Sequence, residues 1–285
     1  MNPGYQFLIG LIGSLLIAFL AYKFRSLSLG GFLASILVGT IILGLGGTAW
    51  AILLVVFFVS SSILSKMFRK RKAGVDEKFA KGSQRDAGQV FANGGVAACL
   101  ALTWFVTRLA GSGSDAIIWI WWAFAGSLAA ATADTWATEL GVLSRRRPVL
   151  ITTFKPVDPG TSGGISLMGA LSALAGSALI AFLAAAMGKT FGVNVRGPEV
   201  DPWLQFVVIT FAGFAGSLVD SLLGATKQAI YFCPSCQKET EKHPLHTCGK
   251  LTKLKRGWDW LNNDWVNAAC VLAGALFAGL LSTFA

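Results

Sequence analysis

Eight long apolar runs decide what this chain can fold into. They cover 7–22, 31–45, 49–62, 90–106, 117–133, 165–187, 203–223 and 265–284. A helix needs about 20 residues to cross the hydrocarbon of a bilayer, with roughly 17 to 25 as the working range. With their flanks most runs reach that length, although the second and third are short and the second is glycine-rich. Only 13% of the residues are charged, against about a quarter in water-soluble domains, so the chain cannot cover a water-facing surface. The expected fold is all-α: a polytopic transmembrane helical bundle of about eight spans, with six or seven also compatible. The whole of 1–285 reads as one integral membrane domain, and 226–262 as a cytoplasmic loop insert. The opening Met-Asn-Pro-Gly-Tyr-Gln has no positive region, and no small-residue cleavage site follows the first run, so a cleaved signal peptide is not expected.

The net charge of +10 has a topological meaning. With eight spans, 21 of the 24 Lys and Arg residues fall in alternate loops, and the opposite side holds only Arg108, Lys189 and Arg196. The positive-inside rule makes the rich side cytoplasmic and places both termini outside, in the plasma membrane of a prokaryotic cell. The charge therefore reports orientation rather than a nucleic-acid partner. The cluster Lys66, Arg69, Lys70, Arg71 and Lys72 also suits anionic headgroups of the lipid bilayer.

Polar residues gather where the runs meet the cytoplasmic loops. Before the fourth run, Arg85, Gln89 and Asn93 lie four apart on one helical face with Asp86 beside them. Asp86 is equally good as a plain N-cap. The fifth run ends in Ala133-Asp134-Thr135-Trp136-Ala137-Thr138-Glu139. Carboxylates at the end of an apolar helix are costly unless paired, hydrated or bound to metal. Positions five apart stand about 140° apart on a helix, so Asp134 and Glu139 need a break or a partner element to meet. Lys155 precedes Gly160-Thr161-Ser162-Gly163-Gly164, a glycine-rich turn running into the sixth span. Such a turn at a helix N-terminus suits phosphate, although the Gly-Lys-Ser/Thr ending of a Walker loop is missing. In the seventh run Ser217, Asp220, Gly224 and Lys227 form one stripe, and Gly216-Ser217-Leu218 echoes Gly126-Ser127-Leu128 as if a half-site were duplicated. Asn263, Asp264 and Asn267 open the last span, where Asp264 is a candidate cap. The carboxylates thus share one depth on one side. That arrangement suits an anionic, water-soluble substrate entering from the cytosol, with Mg²⁺ held by one or two carboxylates to offset their charge.

One loop carries both histidines and three of the five cysteines. Cys233 and Cys236 in a C-x₂-C step, with His246 and Cys248, supply four ligands for a structural zinc, and His243 is a spare. Four protein ligands leave no open position for catalysis.

At these motifs the sequence resembles the phytyl-phosphate kinase family and its relatives called transmembrane protein nineteen. The resemblance runs through Arg85-Asp86-Ala87-Gly88-Gln89-Val90 with Asn93-Gly94-Gly95, Ala133-Asp134-Thr135-Trp136 with Glu139-Leu140-Gly141, and Gly160-Thr161-Ser162-Gly163-Gly164. It continues through Asp220-Ser221-Leu222-Leu223-Gly224-Ala225, the C-x₂-C loop, and Asn263-Asp264 with Val266-Asn267, covering nearly the whole chain. It implies a transferase that phosphorylates an isoprenyl monophosphate (phytyl, farnesyl or geranylgeranyl) to the prenyl diphosphate. A nucleoside triphosphate, CTP or ATP, is the implied co-substrate. On that reading Asp134, Glu139, Asp220 and Asp264 are catalytic, with Asp134 and Asp220 on Mg²⁺. Arg85, Asp86, Gln89, Asn93, Lys155, residues 160–164, Ser221, Lys227, Asn263 and Asn267 bind the phosphate-bearing substrates, and Arg85 with Lys227 clamps the acceptor phosphate. The alternatives are a lipid-phosphate transporter or flippase, whose site would sit nearer the midplane, and another membrane lipid transferase. Oligomeric state stays open, a homodimer included.

Overall fold

The computed structural model describes residues 3–68, 84–111, 114–190 and 201–284. Arg69, Lys70, Arg71, Lys72 and Arg196 lie outside the described residues. Among the described residues, eight helices are long and apolar enough to cross a membrane: α1 (Pro3–Lys23), α2 (Leu29–Ile41), α3 (Thr48–Met67), α4 (Ala87–Leu109), α5 (Ser114–Gly141), α6 (Leu167–Thr190), α7 (Pro202–Thr226) and α8 (Asn263–Leu281). The second span reaches its length through an added π-helical turn, Ile42–Gly46, in which Gly44 lies against Gly10 of α1. Helix starts follow from side chains that answer the first unpaired N–H groups. Ser28 caps α2, Asp201 caps α7 ahead of Pro202, and Asn262 caps α8.

Short strands outside the helices qualify the all-α expectation. Val149–Leu150 (β1) pairs antiparallel with Gly164–Ile165 (β2) in the loop between α5 and α6. Between α7 and α8, Ile230–Cys233 (β3) is the central strand between Lys238–Thr240 (β4) and Lys253–Arg256 (β5).

Helix α5 is the axis of the bundle. In its apolar window 78% is buried, against 22% for α1, and it packs on α3, α4, α6, α7 and α8. A membrane supplies no hydrophobic force between helices, so close approach through small residues must hold them. Gly126 of α5 sits against the Gly274 carbonyl and Ala278 of α8, and Gly216 of α7 packs on Ala130 and the same Gly274. The repeated Gly-Ser-Leu thus marks two glycines flanking one point on α8. Farther along, Trp50 lies 4.3 Å from Phe124, 5.3 Å from Trp121 and 5.4 Å from Trp104, ring centre to ring centre. The outer faces of α1 and α2, with Leu8, Ile12, Leu16, Leu33 and Leu37, are exposed and apolar.

Gly126→Val is expected to destabilise the bundle by about 1–3 kcal/mol through overpacking, read as a lower unfolding midpoint of the detergent-solubilised protein. An unchanged midpoint would refute the packing described for α5 and α8.

Candidate active site

The polar ends of α4, α5, α6, α7 and α8 meet around one cleft of about 480 Å³. Of the residues expected from sequence, Arg85, Gln89, Asn93, Asp134, Glu139, Thr161, Ser162, Ser221, Asn263 and Asn267 line it, together with Gly160, Gly163 and Gly164.

At its floor Asp134 of α5 and Asp220 of α7 come within hydrogen-bonding reach of each other. Asp220 Oδ2 is buried and has no hydrogen-bond partner among the described residues. Glu139 reaches the same cleft without any break in α5: the cleft wraps around the end of that helix, so residues 134 to 139 line it from two sides. The Glu139 carboxylate accepts a hydrogen bond from Ser65 of α3 at 2.7 Å. Of the two routes open from the sequence, a break or a partner element, the break does not occur, since α5 is continuous over Ser114–Gly141.

Arg85 is fixed by its backbone. Its N–H donates to the Ser26 carbonyl at 2.9 Å and its carbonyl accepts from Ser28 N–H at 3.0 Å, so the turn between α1 and α2 clasps it. Its guanidinium lies over the rings of Phe57 and Phe58. Burial lowers its pKa to about 10, which leaves it charged at neutral pH. The next residue, Asp86, forms a capping box with Gln89 and is absent from the cleft wall. At α8 the cap is Asn262, whose side chain accepts from the N–H groups of Asp264 and Trp265, and Asp264 likewise stands off the wall.

The glycine turn differs from its expected form. Gly160 and Gly163 have φ of +75° and +83°, a region open to glycine at little cost, and Gly163 abuts the backbone of Ala225. Strand β2 and Ser166, which caps α6, separate the turn from the helix. The N–H groups of Thr161 and Gly164 are already bonded to Asp158 and Thr161 carbonyls. The α6 dipole therefore does not open directly onto residues 160–164.

The cations on the wall also differ. Lys155 is exposed and Lys227 lies over the Trp258 ring at 5.1 Å, both away from the cleft. Arg146 and Lys242 line it instead. Sequence reasoning missed them because Arg145-Arg146-Arg147 does not say which side chain turns inward, and Lys242 depends on how the β3–β5 module folds.

That module is stitched to the cleft. Glu241 accepts from Ser162 at 2.9 Å and from Gln228 at 2.8 Å. Arg256 donates to the carbonyls of Gly224 and Ser162. Behind it, donor atoms of Cys233, Cys236, His246 and Cys248 all lie within 4.8 Å of one another. Cys233 Sγ is 3.6 Å from Cys248 Sγ, and His246 Nδ1 is 3.3 Å from that sulfur. Ligands of a tetrahedral ion with metal–sulfur bonds near 2.3 Å stand about 3.7 Å apart, so the four could hold a metal. His243 is not a fifth ligand: it stacks on Tyr231 and its Nδ1 faces Thr252.

The chain matches the family described as integral membrane protein DUF92 over residues 12–275. It belongs to that family. It is 35% identical to Protein PGR of Arabidopsis thaliana, over 99% of this chain and 98% of that protein. It is 34% identical to an uncharacterized membrane protein of Methanocaldococcus jannaschii, over 73% and 78%. With Protein VTE6, chloroplastic, of Arabidopsis thaliana, identity is 27% over 90% of this chain and 66% of that protein. No solved structure matches the chain.

Replacing Cys236 and Cys248 together with Ser is expected to abolish stoichiometric metal in the purified protein, measured by elemental mass spectrometry, whereas Cys99→Ser leaves it. Equal metal in both would remove the Cys/His site.

Proposed function

We propose that this protein is a prenyl-monophosphate kinase, transferring the terminal phosphoryl group of a nucleoside triphosphate, CTP or ATP, to an isoprenyl monophosphate. The observation that carries the reading is Asp134 beside Asp220 at the floor of a cleft that also takes in the 160–164 turn and three cations. Motif resemblance to the phytyl-phosphate kinases supplies the reaction class. A cleft of this size falls in the usual range for small-molecule sites, roughly 300–1,000 Å³.

The donor set fits a hard divalent cation. Two carboxylates at contact range and a buried, unpartnered Asp220 Oδ2 suit oxygen-ligated Mg²⁺. Asp134 and Asp220 would hold it, with Glu139 in reserve on the far side of α5. When bound, such an ion neutralises charge on the transferring phosphates. The residues' own work is alignment. Arg85 and Arg146 face the acceptor phosphate, and Lys242 with Asn263 and Asn267 faces the nucleotide side. An acceptor phosphate oxygen forms a new bond to the terminal phosphorus while the bond from that phosphorus to the bridging oxygen breaks, and the nucleoside diphosphate leaves. The acceptor oxygen is already ionised, so no general base is needed.

In the same proposal the Cys/His cluster holds a structural zinc, and 226–262 is an insert that presents Glu241 and Lys242 to the cleft. The 21-to-3 split of basic residues supports a cleft open to the cytosol, with both termini outside the plasma membrane.

The test is a phosphoryl-transfer assay on detergent-purified protein with Mg²⁺, farnesyl, geranylgeranyl or phytyl monophosphate, and each nucleoside triphosphate. Diphosphate product is expected, with turnover lowered about 10²-fold or more in Asp134→Asn and Asp220→Asn. No product from folded, metal-loaded protein would sink the kinase reading in favour of lipid-phosphate transport.

A further inference from the structure

A second cavity, about 90 Å³, lies among α1, α2, α3 and α4. Its wall is almost wholly apolar, with Ala18, Leu27, Val38, Leu54 and Phe58. Besides the small hydroxyls of Ser14 and Ser35, three polar residues break that pattern: Arg85, Gln89 and Asn93, which also line the large cleft. The two spaces therefore share one polar junction, apolar on one side and rich in carboxylates and cations on the other.

The junction is built for an anion. Beyond its two ring contacts, the Arg85 guanidinium has no hydrogen-bond or carboxylate partner among the described residues. A half-buried charge without a counter-ion is costly, and a planar guanidinium pairs best with carboxylate or phosphate. Gln89 uses its side-chain oxygen on the Asp86 N–H at 3.2 Å, which leaves its amide donors for a ligand.

We propose that this groove takes the head-proximal part of the isoprenyl chain, with the monophosphate seated on Arg85 and Gln89 at the mouth of the cleft. The inference rests on the kinase reading for its choice of acceptor. The groove also sets what is recognised. On α1 it runs from Ala21 to Ser14, two helical turns or about 10 Å. An isoprene unit adds four carbon–carbon bonds of about 1.5 Å each, roughly 5 Å along an extended chain, so about two units fit. Past them the groove is open. Helix α1 packs on α2 with no comparable contact to α3, and Ile17, on the groove wall, is 40% exposed. The rest of the chain leaves into lipid there. The site reads the phosphate and the first two units and is indifferent to total length.

Photolabelling of the full, detergent-purified chain tests this without requiring turnover. The probe is farnesyl monophosphate carrying a diazirine in its second isoprene unit, with labelled peptides mapped by mass spectrometry. Labels are expected on α1, α2 or α3 residues of the groove, competed equally by geranyl and geranylgeranyl monophosphates and not by inorganic phosphate. Labelling should fall about tenfold in Arg85→Gln and in Ser35→Phe, which fills the groove. Ser35→Ala should label normally, which separates filling from misfolding. Labels mapping to α6 or α7, or no labelled peptide at all, overturn the groove. So does competition that weakens steadily with shorter chains. Groove labelling without any diphosphate in the transfer assay keeps the groove as a lipid-phosphate site and defeats the kinase reading. Diphosphate formation with labels elsewhere defeats the groove alone.

Discussion

Carboxylates held face to face among apolar helices repel each other and lose their hydration together. Asp134 and Asp220 stand in that relation, and their surroundings are arranged so that the pair is tolerated without being cancelled. Hydroxyls and amides crowd the wall, and cations approach from α4, from the α5–α6 loop and from the β3–β5 module. None of those cations makes an ion pair with either aspartate among the described residues. The two carboxylates are thus left without a cationic partner from the described residues, the condition that the proposed metal-bound phosphates require and a purely structural ion pair does not.

The Cys/His module belongs to this arrangement rather than to the periphery. Cys233 of the Cys/His cluster ends β3, and Glu241, just past β4, accepts from both Ser162 of the glycine turn and Gln228 beyond α7. The turn and the helix carrying Asp220 are thereby tied through one carboxylate.

How much of this was legible in the sequence follows from which signals are local. Run length gave eight spans, and even the short second run was completed by a π-helical turn around Gly44. Four-residue spacing placed Arg85, Gln89 and Asn93 on one wall, and ligand spacing found the four residues of the Cys/His cluster that could hold a metal. What failed depended on tertiary geometry. The five-residue separation put Asp134 and Glu139 on two faces of α5 and left open what joins them, and the cleft takes in both because it curls around the end of that helix. Lys155 and Lys227 sat close in sequence to the right motifs, yet their side chains leave the cleft, and Arg146 and Lys242 take that place from loops whose folding no periodicity describes. Asp86 and Asp264 are both in helix-start segments, where capping competes with binding for the same residue types.

The clasp on Arg85 couples chemistry to the bilayer. Its backbone is held on both sides by the turn joining α1 and α2, and α1 is the least buried of the eight spans. Helices adjust tilt when hydrocarbon thickness departs from their apolar length. In a membrane of different thickness, this hairpin would lean and carry the guanidinium with it relative to the fixed aspartates on α5 and α7. Lipid composition thereby becomes a tuning variable for the reach of a single positive charge.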